Sequence, residues 1–235
     1  MKIKILFDRA AVNESFHTGW GVAFLVGEKV LFDTGEKFEY LKDNARLAKA
    51  DLSKIEQVVI SHDHWDHING LWGLLEMNKN ITVYASEGFN PEFKDKVKVS
   101  GGKLELVKHH MDIGNGLHIL GNNRVMYKGQ GMVEQMLFIK NENKLTMVCG
   151  CCHPGVVNII HKAGILFEQK VDTVVGGLHM MDKEHRFAKY MIDEMGQFVE
   201  KVFASHCTGH DACKILQEKY KDNFTELKAG MEIEV

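Results

Sequence analysis

The run His62-Asp63-His64-Trp65-Asp66-His67 packs three histidines and two acidic residues into six positions, directly after the strand-like stretch Gln57-Val58-Val59-Ile60. Imidazole and carboxylate are donors that suit zinc, manganese or iron. His62 and His64 stand two apart, so in extended chain they project to the same side. Asp66 and His67 then need a tight turn to reach a neighbouring position. One short loop can therefore hold two divalent ions side by side, an arrangement suited to displacing a leaving group at an ester, amide or phosphate. A single histidine among the thirteen of this chain is ordinarily a core or surface residue. The cluster is different, because several costly polar groups stand where an apolar strand normally delivers its side chains to the core.

Two ions need further donors, and these belong at the ends of other apolar strands, where loops on a rigid scaffold present functional groups. His153 follows Leu145-Thr146-Met147-Val148-Cys149-Gly150 and precedes Pro154, a residue favoured in the first turn of a helix. His206 follows Lys201-Val202-Phe203-Ala204-Ser205 and precedes Cys207-Thr208-Gly209, the same kind of strand-to-helix elbow. His179 ends Thr173-Val174-Val175-Gly176-Gly177-Leu178 and reads either as a ligand or as a substrate-contacting acid. Asp172, at the far end of that strand, is roughly 10 Å or more away at about 3.3 Å per residue. Asp33 ends Val30-Leu31-Phe32 and precedes Thr34-Gly35. It can steady a ligand histidine by a hydrogen bond or simply cap its own turn. His109, His110, His118, His161, His185 and His210 sit in polar stretches, strands or helices, where a surface role is the default, and His17 could line the mouth of a pocket.

With 45% apolar and 26% charged residues, the 235-residue chain suits one soluble globular domain, 1–235, with a substantial core. A net charge of −3 gives no support to a nucleic-acid or membrane-surface role. No apolar run is long enough for a membrane span, and the first residues read as a strand rather than a signal peptide. The expected setting is cytoplasmic, with a small-molecule substrate as partner and neither nucleic acid nor membrane; nothing in the composition speaks to oligomeric state. Cys149, Cys151 and Cys152 precede His153, and Cys207 follows His206. Disulfides are not expected in a reducing compartment, and no second C-x-x-C pair completes a thiolate zinc site. Small buried thiols at the base of the main site are the expected reading.

Alternation gives strands at Lys2–Phe7, Gly21–Val26, Lys29–Phe32, Ile81–Ala85, Gln135–Ile139, Leu145–Cys149, Thr173–Val175 and Lys201–Ala204. Helical spacing covers Phe38–Lys49, Gly70–Met77 and Asp211–Tyr220, with further helices from Pro154 and from about Asp182. Between Phe89 and Tyr127 the pattern is weak, and Lys103–Val107 and Val125–Tyr127 suggest antiparallel strands. Strands that meander and then alternate with helices, twice over, point to an α/β fold: an αββα sandwich of two mixed sheets flanked by helices.

In chain order, Leu31-Phe32-Asp33-Thr34-Gly35, Ser61-His62-Asp63-His64-Trp65-Asp66-His67, Cys152-His153-Pro154-Gly155 and the late His206 resemble the motifs of the metallo-β-lactamase superfamily. Asn44-Ala45, Gly150 through Ile159, Gly176-Gly177-Leu178-His179 and His206-Cys207-Thr208-Gly209 resemble one subgroup of it. That subgroup is similar to the archaeal 7,8-dihydropterin-6-methyl-4-(β-D-ribofuranosyl)aminobenzene 5'-phosphate synthase and is often labelled metal-dependent hydrolase. The resemblance implies the αββα fold and two divalent ions, zinc first, with manganese or iron as substitutes. It implies that His62, His64 and His153 hold one ion, that Asp66, His67 and His206 hold the other, and that Asp33 is a supporting carboxylate. Many relatives place a bridging aspartate on the strand that here ends Gly176-Gly177-Leu178-His179, so the second ion is expected to bind weakly, differently or not at all. Asn69 stands where many relatives have glycine, which alters only the turn.

The expected reaction is hydrolysis of an ester, phosphoester or related small-molecule bond by a metal-bound hydroxide, with pterin- or phosphate-bearing substrates in view. A bound divalent ion lowers the pKa of water to about 7. Asp66 is expected to bind metal and accept a proton, and His179 to orient substrate or stabilise an oxyanion. Trp65 and Met180-Met181 are candidates for an apolar wall, although a methionine pair is more often core. Lys183 and Arg186 are candidates for a phosphate contact. The rival readings are a non-catalytic, metal-stabilised binding or sensing module and a mononuclear iron redox protein.

Overall fold

Strands such as Ala23-Phe24-Leu25-Val26 and Leu145-Thr146-Met147-Val148-Cys149 are buried at every position, so both faces of their sheets must be covered. The computed structural model, which describes residues 1–235, meets that demand with four layers. The first half of the chain contains β1 (Lys2–Phe7), β2 (Ala23–Val26), β3 (Val30–Phe32), α1 (Phe38–Leu47), β4 (Gln57–Val59), α2 (Trp65–Met77), β5 (Thr82–Ser86), α3 (Pro91–Val99) and β6 (Lys103–Val107). The second contains β7 (His110–Gly114), β8 (Leu117–Tyr127), β9 (Gln130–Lys140), β10 (Leu145–Cys149), α4 (Val156–Phe167), β11 (Thr173–Gly177), α5 (His185–Met195), β12 (Lys201–Ser205), α6 (His210–Tyr220), β13 (Phe224–Glu226) and β14 (Glu232–Glu234).

The sheets run β14-β1-β2-β3-β4-β5-β6 and β13-β12-β11-β10-β9-β8-β7, and each mixes antiparallel and parallel neighbours. Successive strand residues serve different layers, as the period of two requires. Val59, Val148 and Val175 join Phe24, Phe32 and Phe203 between the sheets. Val58 turns outward to meet Leu41 and Leu74 of α1 and α2, and Val174 to meet Ile159 and Ile192 of α4 and α5. This is the expected αββα sandwich.

Several local expectations change. The helix expected from Gly70 begins at Trp65, so Asp66 and His67 occupy its first turn rather than a free tight turn. The stretch read as weakly patterned contains α3, started by Asn90, whose side chain accepts from Glu92 N–H, and by Pro91. Lys103–Val107 pairs parallel, not antiparallel, with β5, because α3 supplies the crossover that a parallel pair needs. Val125–Tyr127 is the tip of the long strand β8, hairpinned onto β9.

The parallel strands β3, β4, β10, β11 and β12 all end at one edge of the sandwich. Their C-terminal loops carry Asp33, His62 to His67, His153, His179 and His206 respectively. Gln135 ties the two sheets together there. Its N–H donates to Ser61 O (2.8 Å), and its side-chain amide donates to Ile60 O (2.7 Å) and Tyr84 O (3.0 Å). Phe24 and Phe32 stack between the sheets with ring centroids 6.4 Å apart. Phe24→Ala is expected to lower unfolding free energy by about 3–5 kcal/mol in a denaturant titration. Ile165→Ala, at a side chain 82% exposed, should change it by less than about 0.5 kcal/mol.

Candidate metal centre

After β4 the chain bends at Ser61 and enters α2 just past His64, whose backbone is extended. His62 and His64 therefore project from the loop before the helix, while Asp66 and His67 project from its first turn. Thr34 holds that turn, its N–H (3.0 Å) and hydroxyl (2.8 Å) both donating to His67 O. Close approach requires Gly70, where a Cβ would come 3.1 Å from the Thr34 carbonyl carbon. Two donor triads result. The donor atoms of His62, His64 and His153 lie within 4.8 Å of one another, and those of Asp66, His67 and His206 do likewise. Asp66 Oδ2 is 3.5 Å from His67 Nε2 and 3.4 Å from His206 Nε2. The triads adjoin through the rings of His62 and His67, 4.1 Å apart.

Two buried carboxylates aim these rings. Asp33, at the left-handed φ of +55°, accepts from Ser61 N–H (2.7 Å), Ser61 Oγ (2.6 Å) and His67 Nδ1 (2.7 Å). Because the Ser61 hydroxyl donates to Asp33, its oxygen is left to accept from His62 Nδ1 (2.9 Å). Glu134 of β9 accepts from the backbone N–H of Cys151 (3.1 Å), Cys152 (2.7 Å) and His153 (2.7 Å), and from His153 Nδ1 (2.9 Å). With Nδ1 protonated in His62 and His153, their Nε2 lone pairs face the centre, the tautomer a metal ligand needs, and the Asp33 hydrogen bond to Nδ1 fixes the orientation of the His67 ring. Burial and the neighbouring imidazoles lower the His62 pKa well below its usual value, which keeps it neutral. Burial alone would lower His67 too, but the charge and hydrogen bond of Asp33 outweigh it and push it up to about 9. Burial acts to raise Glu134, yet His153 and the N–H groups hold it below its usual value. Asp66 is held well below the usual carboxylate range by His206 and His67 despite its partial burial.

His206 is set differently. Asp8, just after the end of β1, is buried, takes a hydrogen bond from Ser205 Oγ and accepts from His206 N–H (3.3 Å). Burial pushes the Asp8 pKa up to about 6. Gly21 N–H donates to His206 Nδ1 (3.1 Å), which leaves the ring proton of the neutral form on Nε2, facing Asp66. Trp20 packs edge-on against the same ring, with centroids 5.4 Å apart.

A cleft of about 460 Å³ opens beside the first triad, lined by residues that include Tyr127, His153, Leu178, His179, Met180, Lys183, Phe187 and Tyr190. His179, at φ +48°, lies tilted against His153 with ring centroids 4.3 Å apart, and neither of its ring nitrogens has a hydrogen-bond partner. Of the residues proposed from sequence to touch substrate, Met180 and Lys183 line the cleft, whereas Trp65, Met181 and Arg186 are exposed outside its lining. His17 pairs with Asp43 (3.1 Å) and stacks on Tyr40, away from the centre. All five cysteines are buried free thiols.

Glu134, Asp8 and Tyr127 were not found by sequence reasoning. Glu134 had a signal, a lone carboxylate in the otherwise apolar run Met132–Ile139 next to Gln135. Asp8 and Tyr127 had none. The site fits divalent metal: its donors are imidazole and carboxylate, and His62 Nε2 is fully buried without a hydrogen-bond partner. The first triad is better prepared than the second, since an ion at His206 must displace a proton. Titration with zinc under chelator competition should resolve a tight and a weak step. Glu134→Gln should weaken the tight step about 10–100-fold.

Residues 28–127 match the β-lactamase superfamily domain. The chain is 28% identical to the 7,8-dihydropterin-6-methyl-4-(β-D-ribofuranosyl)-aminobenzene-5'-phosphate synthase of Methanocaldococcus jannaschii, across 95% of this chain and 92% of that one. A crystal structure of a metal-dependent hydrolase of the β-lactamase superfamily superposes with a TM-score of 0.83 at 25% identity, covering 100% of this chain and 99% of the other. The short form of human tRNase Z shares the fold, with a TM-score of 0.65 at 14% identity over 100% of this chain and 99% of that one. In its ordered ligand motifs, its sandwich and its relatives this chain is similar to the metallo-β-lactamase superfamily.

Proposed function

We propose that the protein is a metal-dependent hydrolase that cleaves an ester, phosphoester or related bond in a ring-bearing small molecule, using two divalent ions, zinc foremost. The observation that carries this reading is the pair of adjoining donor triads, with a largely apolar cleft that reaches the first of them at His153. His62, His64 and His153 would hold one ion; Asp66, His67 and His206 would hold the other. When bound, such ions supply Lewis acidity toward a carbonyl or phosphoryl oxygen and activate water near neutral pH.

The chain's own residues do the rest. Asp66, ionised by the influence of His206 and His67, accepts at Oδ the proton released by attacking water. His179, unpartnered beside His153, donates to the oxygen on which negative charge develops. Tyr127, Met180, Phe187 and Tyr190 exclude water and hold a flat ring. The synthase relative is named for a pterin compound carrying a phosphate. Carried to this chain, that name supports a phosphorylated, ring-bearing substrate, with Lys183 at the cleft placed to meet the phosphate.

Elemental analysis of protein purified without added metal tests the centre, and the expected result is two equivalents. Turnover of a panel of phosphodiesters, lactones and thioesters should vanish on chelation, return with zinc, and be absent in His64→Ala; activity that survives chelation refutes the reading. His179→Ala should keep its metal and lose kcat by about 10²–10³-fold; loss of one equivalent instead makes His179 a ligand. Phe187→Ala should raise KM several-fold with kcat within about twofold, the pattern of lost uniform binding.

A further inference from the structure

Between the two triads lies a sulfur that plays no part in the chemistry described above. Cys151 Sγ is 3.5 Å from His67 Nε2. The donor atoms of His62, His67 and Cys151 all lie within 4.8 Å of one another, so the thiol meets one histidine of each triad. His62 Nε2 is fully buried, has no hydrogen-bond partner and belongs to this same group.

The end of β11, where family resemblance leads one to expect a carboxylate between the ions, has no room for any side chain. A Cβ at Gly177 would fall 2.6 Å from Cys207 Sγ and still closer to Gly150 O; one at Gly176 would strike Cys149 O. The approach is fixed by the strand pairing, with Gly177 N–H donating to Gly150 O at 3.1 Å. The two glycines thus draw β11 against the Gly150-Cys151 elbow, and it is this elbow that sends a donor toward the centre. Cys207 Sγ packs behind it, 3.6 Å from Cys151 O, and shares a donor group with Cys151 and His179 but with no histidine of either triad.

We propose that the Cys151 thiolate is the ligand that joins the two metal positions, taking the place that β11 cannot fill with a carboxylate. This rests on the two-ion reading above. On loading, the S–H bond breaks, its proton passes to solvent, and the sulfur electron pairs bind the ions. A thiolate is a soft donor, so it biases the centre toward zinc or ferrous iron over manganese. It also supplies the negative charge between the ions that an aspartate would otherwise bring.

Cobalt(II) replaces zinc and reports sulfur ligation through an intense near-ultraviolet charge-transfer band. The full-length protein loaded with cobalt should show that band. Cys151→Ser should lose it and bind its second equivalent at least about tenfold more weakly, whereas Cys207→Ser should keep both. X-ray absorption at the zinc edge of the wild-type protein reads the ligand directly, free of any folding defect in the variants: a sulfur neighbour at about 2.3 Å is expected. Bound metal without a sulfur neighbour, or a band that persists in Cys151→Ser, overturns the proposal and leaves the two-ion reading standing. Failure to bind cobalt or zinc at all overturns both.

Discussion

Everything at the centre depends on carboxylates that never see water. A buried carboxylate is costly unless its lone pairs are met. Asp33 and Glu134, both with fully buried side chains, are met by seven donors between them, each placed by a loop that carries a metal-ligand candidate. Satisfying the charge and aiming the histidines are therefore one requirement. If the β4 loop or the β10 elbow moved, a buried charge would be left bare as well as a ligand lost. Such coupling explains how a site built from irregular backbone keeps one arrangement.

The sandwich supports this by where it ends rather than by what it encloses. Parallel strands from both sheets stop at one edge, which brings donors far apart in sequence into one crevice, as open α/β sheets tend to do. Close backbone approaches then fix the loops against one another. Gly70 lets α2 meet Thr34, and Gly150 lies where a Cβ would press on Asp33 Oδ2 at 2.8 Å. Gln135 and Glu134, neighbours on β9, divide the labour: one ties the sheets together, the other orders the His153 elbow.

What was legible in the sequence follows from the same physics. The strand-end histidines could be read because a polar cluster after an apolar run contradicts packing. The layered fold could be read because consecutive apolar residues imply sheets covered on both faces. Less legible were features set by tertiary contact. The start of α2 at Trp65 is fixed by Thr34 gripping His67 O, which no local propensity announces. The parallel pairing of β6 depends on α3, whose apolar face is short. Asp8 and Tyr127 act from 198 and 26 residues away, on His206 and His153, and nothing in the residues around them marks the partner.

The two triads are also unequal, and the inequality bears on mechanism. Asp33, through Ser61, and Glu134 preset the tautomers of His62 and His153, whereas Gly21 presets His206 the opposite way, with its proton toward Asp66. In the two-ion reading proposed above, the first position would be organised before any ion arrives, while the second would exchange protons for its ion. Asp66 stands at that boundary. With the second position unfilled it is a carboxylate flanked by two imidazoles, kept ionised and able to take a proton. With the position filled it would be a ligand and would lose part of that basicity to the ion. A carboxylate cannot be at once a strong ligand and a strong base, and the imidazoles that keep Asp66 ionised already hold its proton affinity low, so in the mechanism proposed above it would take a proton briefly and pass it on.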